Sequence, residues 1–593
     1  MISDCLIKEL RKLKESSKEA VENVTEFSSF KKYMHVKRKV EDELIDVIKK
    51  SSQTNKSELI LVCGGVGDGK SHIISYIKSN YPGIVSNFNI HNDATESFDP
   101  GKTSIDTLND VLDPFCDEKL NFEKEKLILA INLGALSNFI DSKYGERFTI
   151  LKKYVEDKKI LELDICDSKY DSDSRFSFIN FSDYHIYSLT EQGPKSDYLK
   201  DLINKITQES NKNTFYKTYE SKCRECICEY KCPVKANYQY LSNDSVQNKV
   251  NGIVTEAVVK DKLIISTRSI LNFFYDLLVS VDIDSKTDDE LISYIQKLDS
   301  EKYLDSIFTS NLYEHKELSP ILASISNLDP ITFISSESDS TIIGLNITDD
   351  VTGIFKDKID IRSNNYIDHL LTRGEIVNKD ILLCENAMEV KDKLINTFIR
   401  IKSFIPSAKE PRLKIVYDDF MINLYHTNKG EKRKLSSLYK DVKEAIFKWN
   451  GDSDDNLLNV NVGKNQIRYK VSSKVDLEPY LNNIVINDKE EIDKFNQTLD
   501  VSFKESSSGK VLKIEIDYNL YELLMKVKKG YRPNVNDKYN YIKFVEFINK
   551  INKAHSKNKD VFIEDKTGIR HSKYKLSYDS SFEEFKFQRI GEN

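Results

Sequence analysis

The sequence predicts an α/β fold in which a parallel sheet is covered by helices on both faces. The apolar segment 59–63 lies between a polar stretch and a glycine cluster, and a helical pattern follows at 70–80. Further apolar segments at 84–91, 127–131 and 176–181 continue the alternation of strand and helix patterns. This alternation is typical of a parallel sheet, and strands that are buried on both faces read as continuous apolar runs.

The whole protein divides into four predicted regions. Residues 1–50 form a helical N-terminal segment, and residues 51–280 carry the alternating pattern of the α/β domain. Residues 281–340 are interpreted as a helical lid or linker. Residues 341–593 are interpreted as a helix-rich to α+β region, in which alternating apolar residues at 512–518 predict a half-buried strand.

Composition and charge narrow the class of protein. Hydrophobic residues make up 39% and charged residues 31% of the 593 residues, as in a globular protein. No apolar run is long enough to span a membrane, and the first residues lack the apolar stretch of a signal peptide. The net charge of −7 argues against wholesale coating of nucleic acid. We therefore expect a cytoplasmic protein.

A glycine-rich motif follows the first predicted strand. It matches the phosphate-binding pattern G-x-x-x-x-G-K-[ST] completely and lies in the expected context, with a strand before it and a helix after it. Glycines allow the tight curl that aims several backbone N–H groups at a phosphate, and the helix N-terminus adds further donors. The predicted nucleotide-binding residues are Gly64, Gly65, Val66, Gly67, Asp68, Gly69, Lys70, Ser71 and His72.

Two residues of the motif have specific predicted roles. Lys70 reaches the β and γ phosphates, and the Ser71 hydroxyl ligates Mg²⁺. The motif alone does not separate ATP from GTP. The sequence has no Asn-Lys-x-Asp run of the kind that reads guanine, and this favours ATP.

Hydrolysis also needs a polar group that positions water and a carboxylate linked to the Mg²⁺ ion. An Asp-Glu pair normally closes the hydrophobic strand that supplies this carboxylate. Here the most apolar predicted strand, 127–131, ends in Asn132, which is interpreted as the water-positioning group of an AAA-like ATPase. Asp93 is the candidate catalytic carboxylate, and Asp183 is a weaker candidate for the same role. The alternative is that such an aspartate only caps a turn. Ligands of such sheets bind at the carboxyl ends of the strands, where all three residues lie.

An arginine marks the start of a later apolar helix. The segment 263–279 is predicted to be helical and contains one basic residue, Arg268. In AAA-type ATPases an arginine at this position of a lid helix contacts the nucleotide phosphates. The alternative is an ordinary surface arginine near a helix start.

Four of the nine cysteines are clustered, whereas Cys5 and the others are scattered. Thiolates this close together gain most when they share a soft cation, so zinc is the first candidate. The spacing differs by one residue from that of bacterial ferredoxins, so an iron–sulfur cluster is the alternative. A third interpretation is that these are core cysteines without a ligand. Cys228 is the weakest of the candidate ligands, because an element of the form C-x₂-C-x₅-C-P would work without it. The candidate ligands are Cys223, Cys226, Cys228 and Cys232.

Residues 401–443 are a candidate nucleic-acid surface. They contain ten Lys or Arg residues against five Asp or Glu residues, with aromatic residues interleaved. Basic side chains release counterions from phosphates, and aromatic rings stack on bases. The basic run Lys432, Arg433 and Lys434 is the predicted centre of this surface, and a solvated helical face is the alternative.

The sequence resembles the DptF family in an ordered set of segments. They are HVKRKVEDELIDVI, LILVCGGVGDGKSHIISYI, IHNDATESFDPGKTSIDTLNDVL, LILAINLGAL, INFSDY, the C-x₂-C…CP element and ISTRSILNFFYDLL. The resemblance is strongest over residues 20–280. Members of this family are the P-loop ATPase subunits of bacterial DNA phosphorothioation-dependent restriction systems.

The resemblance implies a role in antiviral defence. It implies partners of the DptG and DptH types and action on unmodified double-stranded DNA, either directly or through these partners. No nuclease motif is apparent in the sequence, so ATP-driven work is expected instead of strand cleavage. A homo-oligomer is compatible with the sequence. A nucleotide-dependent switch or scaffold, or an ATPase of replication or repair, are the alternative functions.

Overall fold

A computed structural model of the protein describes most of its length. The described residues are 5–18, 29–65, 67–92, 101–161, 165, 170–228, 231–333, 336–347, 387–405, 412–451, 456–460, 468–484, 486–506, 508–554, 560–567, 572–579 and 581–592. The protein divides into two compact units, residues 1–188 with 195–411 and residues 189–194 with 412–593. Within the described residues, no helix is both long and apolar enough to cross a membrane.

The first unit contains helices and one parallel sheet. Its helices are α1 (Leu6–Lys18), α2 (Ser29–Met34), α3 (Lys39–Ser52), α4 (Lys70–Asn80), α5 (Pro82–Val85), α6 (Ser104–Leu112), α7 (Leu133–Ile140), α8 (Thr149–Asp157), α9 (Asp197–Thr207), α10 (Thr214–Thr218), α11 (Pro233–Leu241), α12 (Asp244–Asp261), α13 (Thr267–Leu278), α14 (Val281–Asp284), α15 (Asp288–Gln296), α16 (Ser300–Asp305), α17 (Phe308–Tyr313), α18 (Pro320–Ser326), α19 (Ser336–Ile347) and α20 (Ala387–Lys402). The sheet strands are β1 (Glu58–Cys63), β2 (Asn89–His91), β3 (Lys126–Ile131) and β4 (Phe176–Asn180). The next two strands, β5 (Tyr184–Thr190) and β6 (Gly193–Lys195), lie partly in residues 189–194, which belong to the second unit.

The sheet has the strand order β2-β3-β1-β4, and all its pairings are parallel. The register aligns Cys63 at the end of β1 with Ile131 of β3 and Asn180 of β4. The carboxyl ends of these strands therefore meet at one edge, which is where ligands of such sheets bind. The predicted parallel α/β core is confirmed.

Alternate residues of β1 supply two different cores. Leu59, Leu61 and Cys63 pack with residues of α6, α7 and α8 on one face of the sheet. Ile60 and Val62 pack with α3 and α4 on the other face. This explains why the strand reads as a continuous apolar run instead of alternating with polar residues. The prediction of helices on both faces is confirmed.

A third core lies among the helices that follow the sheet. It contains apolar residues of α9, α11, α12, α13, α17 and α18, and four residues of α1 complete it. The N-terminal helix α1 packs against α13. The first described helix is thus an integral part of this helical bundle.

The second unit combines helices with antiparallel sheets. Its helices are α21 (Arg412–Lys429), α22 (Ser436–Lys448), α23 (Tyr518–Lys528), α24 (Val535–Asn540) and α25 (Ile542–Ala554). Its strands are β7 (Leu457–Asn459), β8 (Tyr469–Lys474), β9 (Leu477–Pro479), β10 (Ile492–Lys494), β11 (Leu499–Glu505), β12 (Val511–Ile516), β13 (Val561–Asp565), β14 (Ser572–Asp579) and β15 (Glu584–Glu592). Two of its sheets have the orders β12-β11-β9 and β15-β14-β13-β8-β7. Leu512, Ile514 and Ile516 alternate with exposed residues in β12, which confirms the predicted half-buried strand up to Ile516. The prediction is wrong at Tyr518, which begins α23 after the N-cap Asp517.

Two element boundaries differ from the sequence prediction. The segment 84–91 was predicted to be a strand, but only Asn89–His91 is extended, and the short helix α5 occupies Pro82–Val85. A proline fits the first turn of a helix because its missing N–H has no helical partner there. The helix predicted over 263–279 begins only at Thr267, since Ser266 caps it with a reciprocal capping box.

Candidate nucleotide site

The glycine-rich loop connects the end of β1 to the start of α4. Gly67 has a φ of 93° and Gly69 a φ of 86°, a backbone region that residues with a Cβ rarely adopt. A Cβ on Gly67 would also lie 3.0 Å from the Cβ of Ser266. The loop therefore needs glycine both to turn and to pack against the start of α13.

The Lys70 side chain folds back over the loop. Its Nζ donates hydrogen bonds to the carbonyl oxygens of Gly64 at 3.0 Å and of Gly65 at 2.6 Å. The Lys70 ammonium is therefore held against the backbone of the loop itself. Lys70 is also the first residue of α4, whose first-turn N–H groups lack helical partners.

Asp68 ties the loop to its surroundings. Its carboxylate accepts hydrogen bonds from the Gly65 amide at 2.5 Å and from the Ser182 hydroxyl at 2.8 Å. Arg38 donates to the Asp68 carbonyl oxygen at 2.7 Å and to that of Tyr184 at 3.3 Å. The carboxylate therefore engages one of the amides that a phosphate loop offers to an anion. Sequence reasoning missed Arg38 and Ser182 as part of this site.

The predicted Mg²⁺ ligand lies near the end of β2. The Ser71 hydroxyl is 3.5 Å from the carbonyl oxygen of Asn92, the residue that follows β2. The next residue in sequence is Asp93, the predicted catalytic carboxylate, which lies outside the described residues, as does Val66 of the loop.

Asn132 and Asp183 both have structural roles at the carboxyl edge of the sheet. The Oδ1 atom of Asn132 accepts a hydrogen bond from the Ala135 amide at 2.6 Å and caps α7. Asp183 accepts a hydrogen bond from the side chain of Asn180 at 2.6 Å. β3, which Asn132 follows, is the neighbour of β1 in the sheet.

The start of α13 packs on the phosphate loop, and Arg268 is the second residue of that helix. Ser266, the N-cap of α13, contacts Gly67 as described above. Arg268 is exposed and lies two positions beyond this contact. The region that carries the predicted phosphate-contacting arginine is thus adjacent to the loop.

A narrow pocket lies beside the loop. Apolar and aromatic side chains form much of its wall, and the Tyr198 hydroxyl is hydrogen-bonded to the Thr267 hydroxyl at 2.8 Å. Sequence reasoning missed most of this pocket, since its residues come from four separate segments. They are Met34, Val36, Arg38, Gly69, His72, Ile73, Tyr198 and Thr267.

His72 belongs to a series of polar side chains behind the loop. Its Nε2 lies 3.2 Å from Nδ1 of His35, whose Nε2 in turn lies 3.0 Å from the Glu41 carboxylate. Burial lowers the pKa of His72 to about 4, and the nearby charges of Lys31 and Arg38 act in the same direction. His72 is therefore neutral at physiological pH and does not supply a positive charge to a phosphate.

The predicted cysteine ligands lie together on the helical side of the first unit. Cys223 ends a π-helical turn (Tyr219–Cys223), and Cys232 is the N-cap of α11. Burial raises the pKa of Cys223 to about 12 and that of Cys228 to about 11. Among the described residues, no group of three or more His, Cys, Asp or Glu side chains is arranged to hold a metal ion.

Cys5 belongs to the same group of thiols. It precedes α1 and lies close enough to Cys223 and Cys232 to act on both electrostatically. Cys5 is thus isolated in the sequence but lies near the clustered cysteines in space. No local spacing signal could have revealed its position, because α1 reaches the group through tertiary packing.

The predicted nucleic-acid surface is only partly supported by side-chain exposure. Lys432, Arg433 and Lys434 lie in a 3₁₀ turn that leads into α22, and the last two are exposed. The aromatic residues of the region are buried, and core packing explains their spacing. They therefore do not form the stacking surface that the sequence interpretation required. These residues are Phe404, Tyr417, Phe420, Tyr425 and Tyr439.

Comparison with models of known protein families finds no family that matches the sequence, and comparison with curated proteins finds no match either. The fold and the loop geometry described above are thus the basis for assigning a function.

Proposed function

We propose that the protein is the ATP-binding and ATP-hydrolysing subunit of a DNA phosphorothioation-dependent restriction complex in the cytoplasm. ATP turnover is coupled to engagement or remodelling of unmodified double-stranded DNA, together with DptG-like and DptH-like subunits. One observation carries the ATP assignment. A complete G-x-x-x-x-G-K-S segment joins a buried parallel strand to a helix start, at the edge of the sheet where ligands bind.

Triphosphate binding replaces contacts that the loop makes with itself. Lys70 is held by two carbonyl oxygens, and the Gly65 amide is held by the Asp68 carboxylate. A phosphate offers Lys70 a charge-assisted hydrogen bond, which is stronger than a bond to a neutral carbonyl. The amides at the start of α4 add the favourable end of the helix dipole. This arrangement supports binding of the β and γ phosphates.

Magnesium is assigned to the Ser71 hydroxyl, with Asp93 as the carboxylate that reaches the ion through water. The proximity of Ser71 to the backbone of Asn92 supports this pairing, because it brings the end of β2 to the loop. Asn132 is assigned to the attacking water, as in AAA-like ATPases, since β3 lies beside β1. A Mg²⁺ ion bridging phosphate oxygens neutralises the charge that develops during phosphoryl transfer.

The start of α13 and the narrow pocket beside the loop border the proposed phosphate site. The pocket contacts Gly69 and His72 at the first turn of α4, but it has room for little more than a water molecule, so the base is not assigned to it. Arg268 is assigned to the phosphates because its helix starts against Gly67. This ATP site is built from the loop, from the segment before β1 and from the start of α13.

The restriction role rests on the ordered resemblance to the DptF family, and a plasmid challenge tests it. Hosts that carry a complete restriction system receive unmodified plasmid, with the wild-type protein, Lys70→Ala or Lys78→Ala. Lys78 is the matched control because it is exposed on the last turn of the same helix. We expect Lys70→Ala to lose restriction and Lys78→Ala to keep it, while phosphorothioated plasmid is spared throughout. Full restriction by soluble Lys70→Ala contradicts the proposal.

A nucleotide-dependent switch with little turnover is the second candidate. It is favoured by the absence of an acidic residue directly after β3, where the sequence continues with Asn132. Phosphate release by purified protein separates the two candidates, with Lys70→Ala as the blank. Release well above the blank supports hydrolysis, whereas ATP binding with release equal to the blank supports the switch.

A further inference from the structure

The two edges of the five-stranded sheet in the second unit differ in how they are closed. The strand order is β15-β14-β13-β8-β7, so β7 and β15 are the edge strands. β7 has only three residues and packs against α22, and the carbonyl oxygen of Asn459 at its end accepts a hydrogen bond from the Asn450 side chain at 2.9 Å. β15 has nine residues and, within the described part of the protein, pairs with β14 alone. Such an open edge is a template for another strand, because its outer N–H and C=O groups can extend the sheet.

Aromatic side chains line one face of the sheet at this open edge. Phe585 of β15 is opposite Tyr578 of β14, with ring centres 5.0 Å apart, and opposite residues of an antiparallel pair point to the same face. Phe587 lies on that face too, since residues two apart in a strand do, and it stacks on Tyr574 at 5.1 Å. Phe585 and Phe587 nevertheless remain 70% and 58% exposed. Exposed aromatic residues beside an open edge are typical of a protein interface.

The charge of this region favours a protein partner over a nucleic acid. Residues 572–592 contain four basic and four acidic residues. A surface that binds nucleic acid carries an excess of positive charge, because it must neutralise phosphates. The balanced charge of the two strands suits pairing with another strand that is also balanced, and β15 itself is such a strand.

A bulge limits the part of β15 that a further strand can follow. Pairing with β14 is regular from Glu584 to Arg589 and shifts by one residue at Ile590. Bulges disrupt regular pairing, so the stretch 584–589 is the available edge. It is long enough for a short antiparallel pair.

A second copy of β15 fits this stretch in one register. Two-fold symmetry pairs identical strands about a central residue that lies opposite its own copy, and only centres at Lys586 and Phe587 let five residues of the regular stretch pair. A centre at Lys586 places like charges opposite each other, which destabilises a sheet. A centre at Phe587 places two phenylalanines opposite each other and Phe585 opposite Arg589. Both kinds of pair are favourable, the second through a cation over an aromatic ring.

We propose that the protein dimerises through β15, in an antiparallel pair centred on Phe587 of each copy. The two five-stranded sheets then form one continuous sheet, and the aromatic faces of the two copies adjoin. All the residues involved belong to the second unit, so the proposal does not rest on the ATP site.

Sedimentation velocity of the full-length protein without nucleotide tests the pair. The wild type should pass from monomer to dimer as its concentration rises through the micromolar range. Phe587→Glu places two carboxylates opposite each other and Phe587→Lys two ammonium groups, so each variant alone should raise the dissociation constant at least about tenfold. A mixture of the two should form a heterodimer, because a residue on the two-fold axis lies opposite its own copy. Phe122→Glu, at an exposed phenylalanine of the first unit, is the matched control and should dimerise like the wild type.

Two results of this experiment would overturn the proposal. One is a wild-type protein that stays monomeric throughout this range, which would leave the edge to a strand of a different protein. The other is a mixture of Phe587→Glu and Phe587→Lys that does not associate, which would exclude the register centred on Phe587.

A cross-link replaces the charged variants if they are insoluble. Opposite residues of an antiparallel pair have Cα atoms about 4.5–5.5 Å apart, within the range of a disulfide. Mild oxidation of Phe587→Cys should therefore give a covalent dimer, whereas Phe122→Cys should not, and absence of the dimer contradicts the pairing. Lys70→Ala should dimerise like the wild type, so failure of the ATP site and failure of this dimer are distinguishable.

Discussion

The phosphate loop and the cysteine group contrast in how the sequence encodes them. The residues proposed to bind phosphate lie in one run, Gly64 to Ser71, between one strand and one helix. The cysteine group combines a short run, Cys223 to Cys232, with Cys5 from before the first helix. A loop geometry that depends on adjacent residues can be read from the sequence. A group of side chains that only tertiary packing brings together cannot be read in this way.

The same contrast recurs inside the candidate nucleotide site. Positive φ angles at Gly67 and Gly69 follow from the motif itself. By contrast, Arg38 and Ser182, which contact Asp68, come from segments distant in sequence. The motif therefore predicts the donors, and the surrounding fold decides how the loop is held. Substitutions at these positions show whether the contacts within the motif or those from distant segments control nucleotide binding and stability.

The largest effect is expected at Ser71. Ser71→Ala removes the hydroxyl assigned to Mg²⁺ and should lower ATP turnover by about 100-fold or more, because the ion stabilises the charge of the transferring phosphoryl group. Ser75→Ala, one turn along α4, is the matched control. Steady-state phosphate release at saturating Mg²⁺ measures the difference. Equal loss in both variants would show that the helix, and not the hydroxyl, is responsible.

A second effect concerns stability below neutral pH. The pKa of His72 is lowered to about 4 by burial, against about 6.5 in the unfolded protein. Between pH 6.5 and 4 the unfolded state binds a proton that the folded state does not, so the free energy of unfolding falls as the pH falls. The loss from this residue is at most about 3 kcal/mol.

Urea unfolding at several pH values measures this dependence. His72→Gln should flatten the decline between pH 6.5 and 4, whatever its effect at neutral pH. His315→Gln is the control, because His315 lies on the surface beside Glu317. An unchanged slope in His72→Gln would mean that His72 is protonated in the folded protein over this range.

A smaller effect is expected at Asp68. Its carboxylate holds the Gly65 amide and adds negative charge where a triphosphate is assigned. Asp68→Asn should therefore strengthen ATP binding several-fold, corresponding to about 1 kcal/mol, because a competing hydrogen bond is weakened. Asp110→Asn on α6 is the control. Titration calorimetry measures both, and weaker binding in Asp68→Asn would instead show that the carboxylate keeps the loop competent.

The smallest effect is expected at the basic turn of the second unit. If Lys432, Arg433 and Lys434 contact DNA, replacing all three with alanine weakens binding and makes its salt dependence shallower by roughly 0.9 per lost phosphate contact. Basal ATP turnover should not change. DNA affinity that is unaltered at low salt would show that this turn is a solvated surface.

Much of the α/β core could be predicted because its signals are local. Helix α4 spans Lys70–Asn80, as its periodicity indicated, and β3 spans the apolar run that ends at Ile131. The prediction of a strand over 84–91 was wrong in its first half, because Pro82 starts a helical turn there. The aromatic residues of 401–443 were interpreted as a stacking surface but are buried. Their spacing in the sequence does not distinguish the two, because aromatic residues recur at the same intervals on a binding surface and in a core.

The candidate nucleotide site could likewise be predicted only where its residues are adjacent in the sequence. Lys70 and Ser71 could be assigned roles from the motif, but the pocket beside them combines segments around Met34, Tyr198 and Thr267. Each of these residues is ordinary in its own segment, since an apolar or hydroxyl side chain more often packs or caps than binds. Only the tertiary arrangement brings them to the first turn of α4.

Equilibrium binding of a fluorescent ATP analogue with Mg²⁺ tests the central claim most directly. The purified wild-type protein should bind the analogue saturably and release it to unlabelled ATP but not to GTP. Lys70→Ala should lose at least about tenfold in affinity while remaining folded, because a charge-assisted phosphate contact contributes about 1.5–3 kcal/mol, and Lys78→Ala should match the wild type. Equal affinity in Lys70→Ala and wild type would contradict the assignment of this loop as the ATP site.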